Sequence, residues 1–519
     1  MSLRTALVPV IGAAIGTVLV SSLLVAPPVS AAPAAPAVSV ANRCIDSAPE
    51  PGSKRPVKIC FTVFKPAGAS AKRPVPVLLE GHGWAGKRQT SPAAVKRWTD
   101  AGYGVVSIDQ RGFGQSGGLS HVMHPAYEGK DLRRIVNTIA RYRWVQKDGP
   151  RDPRMGTIGG SYGGGYQFLA AFELLRARGK PVIDAMAPQI TWHDLNRSLA
   201  PNGVVRTLWA AVLVGAGLPS NALPPHIYKG LVEGLATGTW PQGQLPLMED
   251  LRPFFTRNGP SWHVRQGRKL DIPMLLGQGT TDGLFNLQEG LRNWRTVLTR
   301  RARQQSVFVG YNGGHVLPAL FPAGVNVTSD PCSKRLGGGD FDDLTLRFFD
   351  HVLKGKGRPV AGRGKVHIGT ATGQCLTSPS GGKPTRTVKA ARIVTPTTVG
   401  LPVSVPIAKG PIKVAGSVSL DAKLTSLGLD GRTFLGLAVG RTPLDAKLVQ
   451  NNTMPLRQAT PVSGVRRTVE LPAVGVSVPK GQNLYLMATA IHDISIAMGS
   501  RLPGVMVLDG IRVHLPVVR

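Results

Sequence analysis

The sequence predicts an α/β fold, a mostly parallel sheet flanked by helices, followed by a separate all-β domain. Three observations carry this. From about residue 56 to 190, apolar runs of strand length alternate with stretches of helical periodicity, the pattern of a sheet covered on both faces. One junction, Ile158-Gly159-Gly160-Ser161-Tyr162-Gly163-Gly164-Gly165, passes from an apolar run straight into a helix-like stretch. Beyond about residue 390 the period drops to two: Ile412, Val414, Val418, Leu420, Ala422 and Leu424 share one parity, and Ile511, Val513, Leu515 and Val517 repeat the rule.

Residues 1–31 join one Arg to an apolar run from Ala6 to Val25 and a small-residue site ending at Ala31, which reads as a secretory signal. A retained membrane anchor is the rival reading, against which Pro9 interrupts the run. No later stretch is long and apolar enough to span a bilayer, so no transmembrane span is expected in the mature chain. Residues 32–55 read as an N-terminal leader, its Ala- and Pro-repeating start, 32–40, as disordered. Val75 to Leu79 and Tyr103 to Ile108 read as strands. Between Lys130 and Lys147, Leu132, Ile135, Val136 and Ile139 recur at helical spacing. Tyr162 to Arg178 reads as a helix ended by Gly179, and Pro181 to Ala187 as the next strand.

Residues from about 193 to 265 break the alternation with helical patches and several prolines. An insertion at this point is expected to cap the site and supply a substrate pocket. Ile272 to Leu276 and Gln305 to Gly310 resume the strands, and a helix from Asp342 to Lys354 closes the first domain, 56–377. Residues 378–389 read as a linker, and 390–519 as a β-sandwich or jelly roll.

The Gly-x-Ser-x-Gly core around Ser161 has the form of a nucleophile elbow, whose tight strand-to-helix turn requires side-chain-free neighbours, here Gly159 and Gly163. In the α/β-hydrolase fold the acid and the base follow the nucleophile in loops just past later strands. Asp282 follows one such strand and His315 the next. A serine hydroxyl is a poor nucleophile, so His315 should take its proton and return it to the leaving group, with Asp282 orienting the ring. A histidine base must be neutral, so activity is expected to fall in acid. The oxyanion would take one donor from the Tyr162 backbone and a second from the Trp84 backbone in the loop Glu80-Gly-His-Gly-Trp84, with His82 as a brace. Each such donor contributes about 3 to 4 kcal/mol to the transition state.

Cysteines stand at 44, 60, 332 and 375, an even number in a chain read as exported, so disulfides are expected. Pairing is open on sequence alone, although proximity favours Cys44 with Cys60 and Cys332 with Cys375. No metal and no cofactor are implied. The chain carries 62 Lys and Arg against 29 Asp and Glu, a net charge of +33. Its basic residues are dispersed and its aromatics few, which argues against specific nucleic-acid recognition. Such a surface suits an anionic cell envelope or keeps the chain soluble by self-repulsion, and a small ester or peptide is the expected substrate.

Several segments together resemble the family containing X-prolyl dipeptidyl aminopeptidases and cocaine-esterase-like acyl hydrolases. They are Asp109-x-Arg-Gly-x-Gly-x-Ser-Gly117, Gly160-Ser-Tyr-Gly-Gly164, the acid loop at Asp282, Gly314-His315, and Arg347-Phe-Phe-Asp-His-Val-Leu-Lys-Gly355. The resemblance implies an α/β-hydrolase domain with a cap and a C-terminal jelly roll, and places Ser161, Asp282 and His315 at the triad positions. Family members commonly put a tyrosine hydroxyl in the oxyanion loop, where this chain has His82-Gly-Trp84. The leading expectation is a secreted serine hydrolase acting on esters or amides through an acyl-enzyme. An X-Pro dipeptidyl peptidase and an inactive envelope-binding protein on the same scaffold are the alternatives.

Overall fold

The computed structural model describes residues 38–244, 246–321, 325–398 and 400–519, so the expected signal at 1–31 lies outside the described residues. Ten strands form one mixed sheet: β1 (Ser39–Ser47), β2 (Val57–Lys65), β3 (Val77–Gly81), β4 (Gly104–Ile108), β5 (Met155–Gly160), β6 (Ala185–Gln189), β7 (Leu275–Gly279), β8 (Val307–Tyr311), β9 (Val366–Gly369) and β10 (Cys375–Ser378). Their order is β1-β2-β4-β3-β5-β6-β7-β8-β9-β10. From β4 to β9 every neighbouring pair is parallel. Antiparallel pairs close both ends. Val77 and Leu79 of β3 enter one apolar core and Leu78 enters another on the opposite face. Burial on both faces is why these strands read as unbroken apolar runs rather than as alternation.

Helix α1 (Glu128–Ile139) buries Leu132, Ile135, Val136 and Ile139. The helical spacing read from 130 to 147 overshoots its end. The chain at 144–146 spends its backbone groups on Val75 instead: Val75 N–H donates to Trp144 O at 3.0 Å and Gln146 N–H to Val75 O at 2.9 Å. Helix α2 (Tyr162–Arg178) is buried almost all round from Tyr162 to Leu174. The insertion forms α3 (Thr207–Gly217), α4 (Pro225–Thr237) and shorter helical pieces. Helix α5 (Phe341–Lys354) starts on an Asp340 cap that accepts from Asp343 N–H at 2.8 Å, and it buries Phe348 and Phe349. Asp350 of that helix accepts from Tyr103 Oη at 2.9 Å, so the Arg347 to Gly355 segment ties α5 to the chain leading into β4.

Beyond β10 the chain forms two antiparallel sheets of six and five strands. They enclose a core that includes Val414, Leu420, Leu424, Leu486, Leu508 and Val513. Two boundaries differ from the sequence reading. Residues 39–47, placed in the leader, form β1, an edge strand whose mostly exposed side chains give no apolar signal and whose value lies in covering the backbone edge of β2. Within the expected linker, Arg386–Lys389 pairs with Arg512–Leu515 and belongs to the sandwich.

Cys44 pairs with Cys60, which lies directly opposite on β2, and Cys332 pairs with Cys375 at the start of β10. The bridges span sequence separations of 16 and 43. Chain-entropy reasoning gives about 3 and about 4 kcal/mol for loops of these lengths.

His263, 2 % exposed, stacks on Phe172 of α2 with ring centroids 4.3 Å apart. Burial, reinforced by Arg268 and Arg176, pushes its pKa down to about 3. The neutral ring is therefore the folded form, and the stability it contributes is complete above the unfolded value of 6.5 and is lost as pH falls toward 3. Between pH 7 and pH 5 this one group should cost about 2 kcal/mol. Denaturant titrations at several pH values are expected to show a shallower acid slope for His263→Phe than for the parent. Equal slopes would contradict this.

Candidate active site

Ser161 sits at the turn between β5 and α2 with φ 58° and ψ −121°, a strained backbone for a residue with a side chain. The turn is as tight as its glycines suggest. A Cβ on Gly163 would lie 2.0 Å from Gly81 O, and one on Gly159 2.5 Å from the same oxygen. The strain holds the Ser161 hydroxyl out of the sheet at the N-terminus of a 17-residue helix, where the dipole favours negative charge.

His315 lies in the loop after β8, and its Nε2 is 2.7 Å from Ser161 Oγ. Its Nδ1 is 2.8 Å from Asp282 Oδ2, in the loop after β7. Asp282 is fully buried, and its second oxygen accepts from Leu284 N–H at 2.9 Å and Phe285 N–H at 2.7 Å. The acid and base loops are stitched together. Gly283 N–H donates to His315 O at 3.0 Å, and Gly313 N–H donates to Thr281 Oγ1 at 2.8 Å. Gly314, at φ 99°, passes so close that a Cβ would lie 2.5 Å from Asp282 Oδ2. The rings of Phe285 and Trp209 stand edge-on to the imidazole at 5.1 and 5.7 Å, fixing its plane.

The loop after β3 carries Trp84. Gly83 O accepts from His82 Nδ1–H at 2.7 Å and from Gly86 N–H at 3.0 Å. Because a trans peptide is planar, pinning that oxygen aims the Trp84 N–H the opposite way. Gln110 N–H donates to His82 Nε2 at 3.0 Å, so the ring must be neutral with its proton on Nδ1. Burial holds the His82 pKa below its ordinary value, which keeps it so. Among the described residues, neither the Trp84 nor the Tyr162 backbone N–H has a protein acceptor. The Asp109 to Gly117 segment supports this loop from below: Asp109 accepts from Arg88 N–H at 2.7 Å and Gln115 N–H at 2.8 Å.

Beside Ser161 opens a pocket under the cap, with about 910 Å³ of atom-free space including its mouth. Trp84, Leu199, Leu213, Ile227, Trp240 and Phe255 are among its walls, and among the described residues no Asp, Glu, Lys, Arg or His lines it. The Trp84 and Trp192 indoles spend their N–H groups on the carbonyls of Leu213 and Asn258, which leaves the wall apolar.

Three contributors carry no motif. Arg206 of the cap, 4 % exposed, donates to Gly283 O beside the acid; burial lowers its pKa to about 10 against the pull of Asp282. Asn452 Nδ2–H of the sandwich donates to Asp282 O at 3.4 Å, and Met498 reaches the pocket. These positions depend on packing between distant segments, so no local spacing could have marked them.

The fold and this array define a chain of the α/β-hydrolase fold with Ser, Asp and His in that chain order. The family model described as X-Pro dipeptidyl-peptidase (S15 family) matches residues 56–316, half of the chain, and the chain belongs to this family. An uncharacterized 31.7 kDa protein of Escherichia coli, from the traX-finO intergenic region, is 33 % identical over 122 residues, 23 % of this chain. The match spans 40 % of that relative's own length. Among solved structures, a CocE/NonD family hydrolase from Staphylococcus aureus is 13 % identical with a TM-score of 0.60, covering 93 % of this chain and 97 % of that one. An alpha-amino acid ester hydrolase is similar at 13 % identity and a TM-score of 0.54, with 96 % and 100 % covered. At these identities the likeness is one of fold.

Proposed function

We propose that the chain is an exported serine hydrolase that cleaves esters of apolar carboxylic acids through an acyl-enzyme on Ser161. The observation that carries this reading is the unbroken hydrogen-bond chain from Asp282 through His315 to Ser161 Oγ. Ser161 Oγ attacks the ester carbonyl as its proton passes to His315 Nε2. The imidazolium formed is held by Asp282 Oδ2. The Tyr162 and Trp84 backbone N–H groups receive the developing oxyanion. Collapse expels the alkoxide, which takes the proton from His315, and the acyl group remains on Ser161 in the apolar pocket. Water, deprotonated by His315, then attacks the acyl-enzyme and Ser161 recovers its proton. The two disulfides and the apolar N-terminal run support export.

The S15 description favours a second reading, an X-Pro dipeptidyl peptidase. Such an enzyme must recognise a free ammonium, and among the described residues the pocket beside Ser161 offers it no carboxylate. Substrate series separate the two. With p-nitrophenyl esters, kcat/KM is expected to rise by about tenfold or more from acetate to octanoate, since each buried methylene contributes about 0.8 kcal/mol before losses. No release from Ala-Pro-p-nitroanilide is expected. Faster turnover of the anilide than of any ester would overturn the esterase reading.

A further inference from the structure

Helix α3 is apolar on every side. No Asp, Glu, Lys or Arg occurs between Arg206 and Lys229. One face of α3, with Ala210, Leu213 and Val214, forms a wall of the pocket. The other faces solvent with Ala211, Val212, Gly215 and Ala216 exposed, and Leu218 follows at 58 % exposure. Neighbouring α4 adds Val232 at 67 %. A helix without a polar face is ordinarily buried, yet among the described residues nothing covers this side of α3.

We infer that the outer face of the cap docks on an anionic lipid surface, and that the ester substrate is delivered from that surface into the pocket. This rests on the esterase reading above. Two observations select lipid over other occupants. The chain carries a net charge of +33, which suits an anionic surface. The same short helix contributes to both the exposed face and the pocket, so an acyl chain leaving a lipid layer moves from one apolar environment to another across α3 alone.

Vesicle flotation of the Ser161→Ala protein tests the surface without turnover. It is expected to float with phosphatidylcholine vesicles containing phosphatidylglycerol, and less with phosphatidylcholine alone. Val212→Glu/Leu218→Glu/Val232→Glu, all exposed and outside the pocket lining, should cut flotation by about tenfold or more. On the active protein the same triple change, or Leu218→Glu by itself to a smaller degree, should lower turnover of a long-chain ester carried in vesicles. Turnover of soluble p-nitrophenyl butyrate should stay within about twofold, which also reports that the variant has folded. Three results would each overturn the inference: no flotation of the parent, undiminished flotation of the triple variant, or self-association in the absence of vesicles that the triple change abolishes. Absence of butyrate turnover in the parent strikes at the esterase reading instead, and flotation is read separately from it.

Discussion

Ser161→Ala is expected to lower kcat on a p-nitrophenyl ester by about 10⁵- to 10⁶-fold while the protein unfolds at nearly the parent temperature. The substituted side chain keeps a Cβ, so the strained turn at φ 58° is no worse for the change, and the one interaction removed is the Oγ contact with His315. The residual rate expected is that of the proposed Tyr162 and Trp84 N–H donors and the pocket. Because the three residues act as a unit, adding His315→Ala to Ser161→Ala should cost little more. Steady-state kinetics with a thermal melt monitored by circular dichroism decide it. A loss smaller than about tenfold in a folded variant would remove Ser161 from the chemistry.

Asp282→Asn should cost about 10⁴-fold in kcat, and the reason is tautomeric. The Leu284 and Phe285 N–H groups both point at Oδ1. An asparagine amide therefore keeps its oxygen there and turns its NH₂ toward His315 Nδ1. That nitrogen must then accept, the ring proton moves to Nε2, and Nε2 can no longer take the Ser161 proton. Buried donors and acceptors remain paired, so the loss of rate should far exceed the loss of stability. A variant within about tenfold of the parent rate would show that Asp282 does not orient the base.

What the sequence makes legible follows from what is local. The elbow at Ser161 is written in adjacent residues, because the turn excludes side chains at Gly159 and Gly163. Asp282 and His315 are marked by a rhythm, a buried strand followed by a polar loop, which β7 and β8 reproduce. The interior strands register as unbroken apolar runs and the sandwich through its period of two. Strand β1 was not legible, because Asn42, Arg43 and Asp46 give it no apolar period and its pairing with β2 is a backbone matter. The apolar character of the pocket was hidden for another reason. Its walls come from the loop after β3, the inserted helices, the loop after β7 and, through Met498, the sandwich, and composition says nothing of which residues meet. Arg206 is the plainest case: an arginine in a cap reads as a solvated charge, yet it is buried against the acid loop at Gly283.

The proposed chemistry requires Ser161 to be an activated nucleophile. The most direct test is reaction of the folded protein with a fluorophosphonate probe, followed by mass mapping of the adduct. One adduct per chain on the peptide containing Ser161 is expected, absent in Ser161→Ala and strongly slowed in His315→Ala. A folded parent that stays unlabelled, or one labelled at another serine, would contradict it.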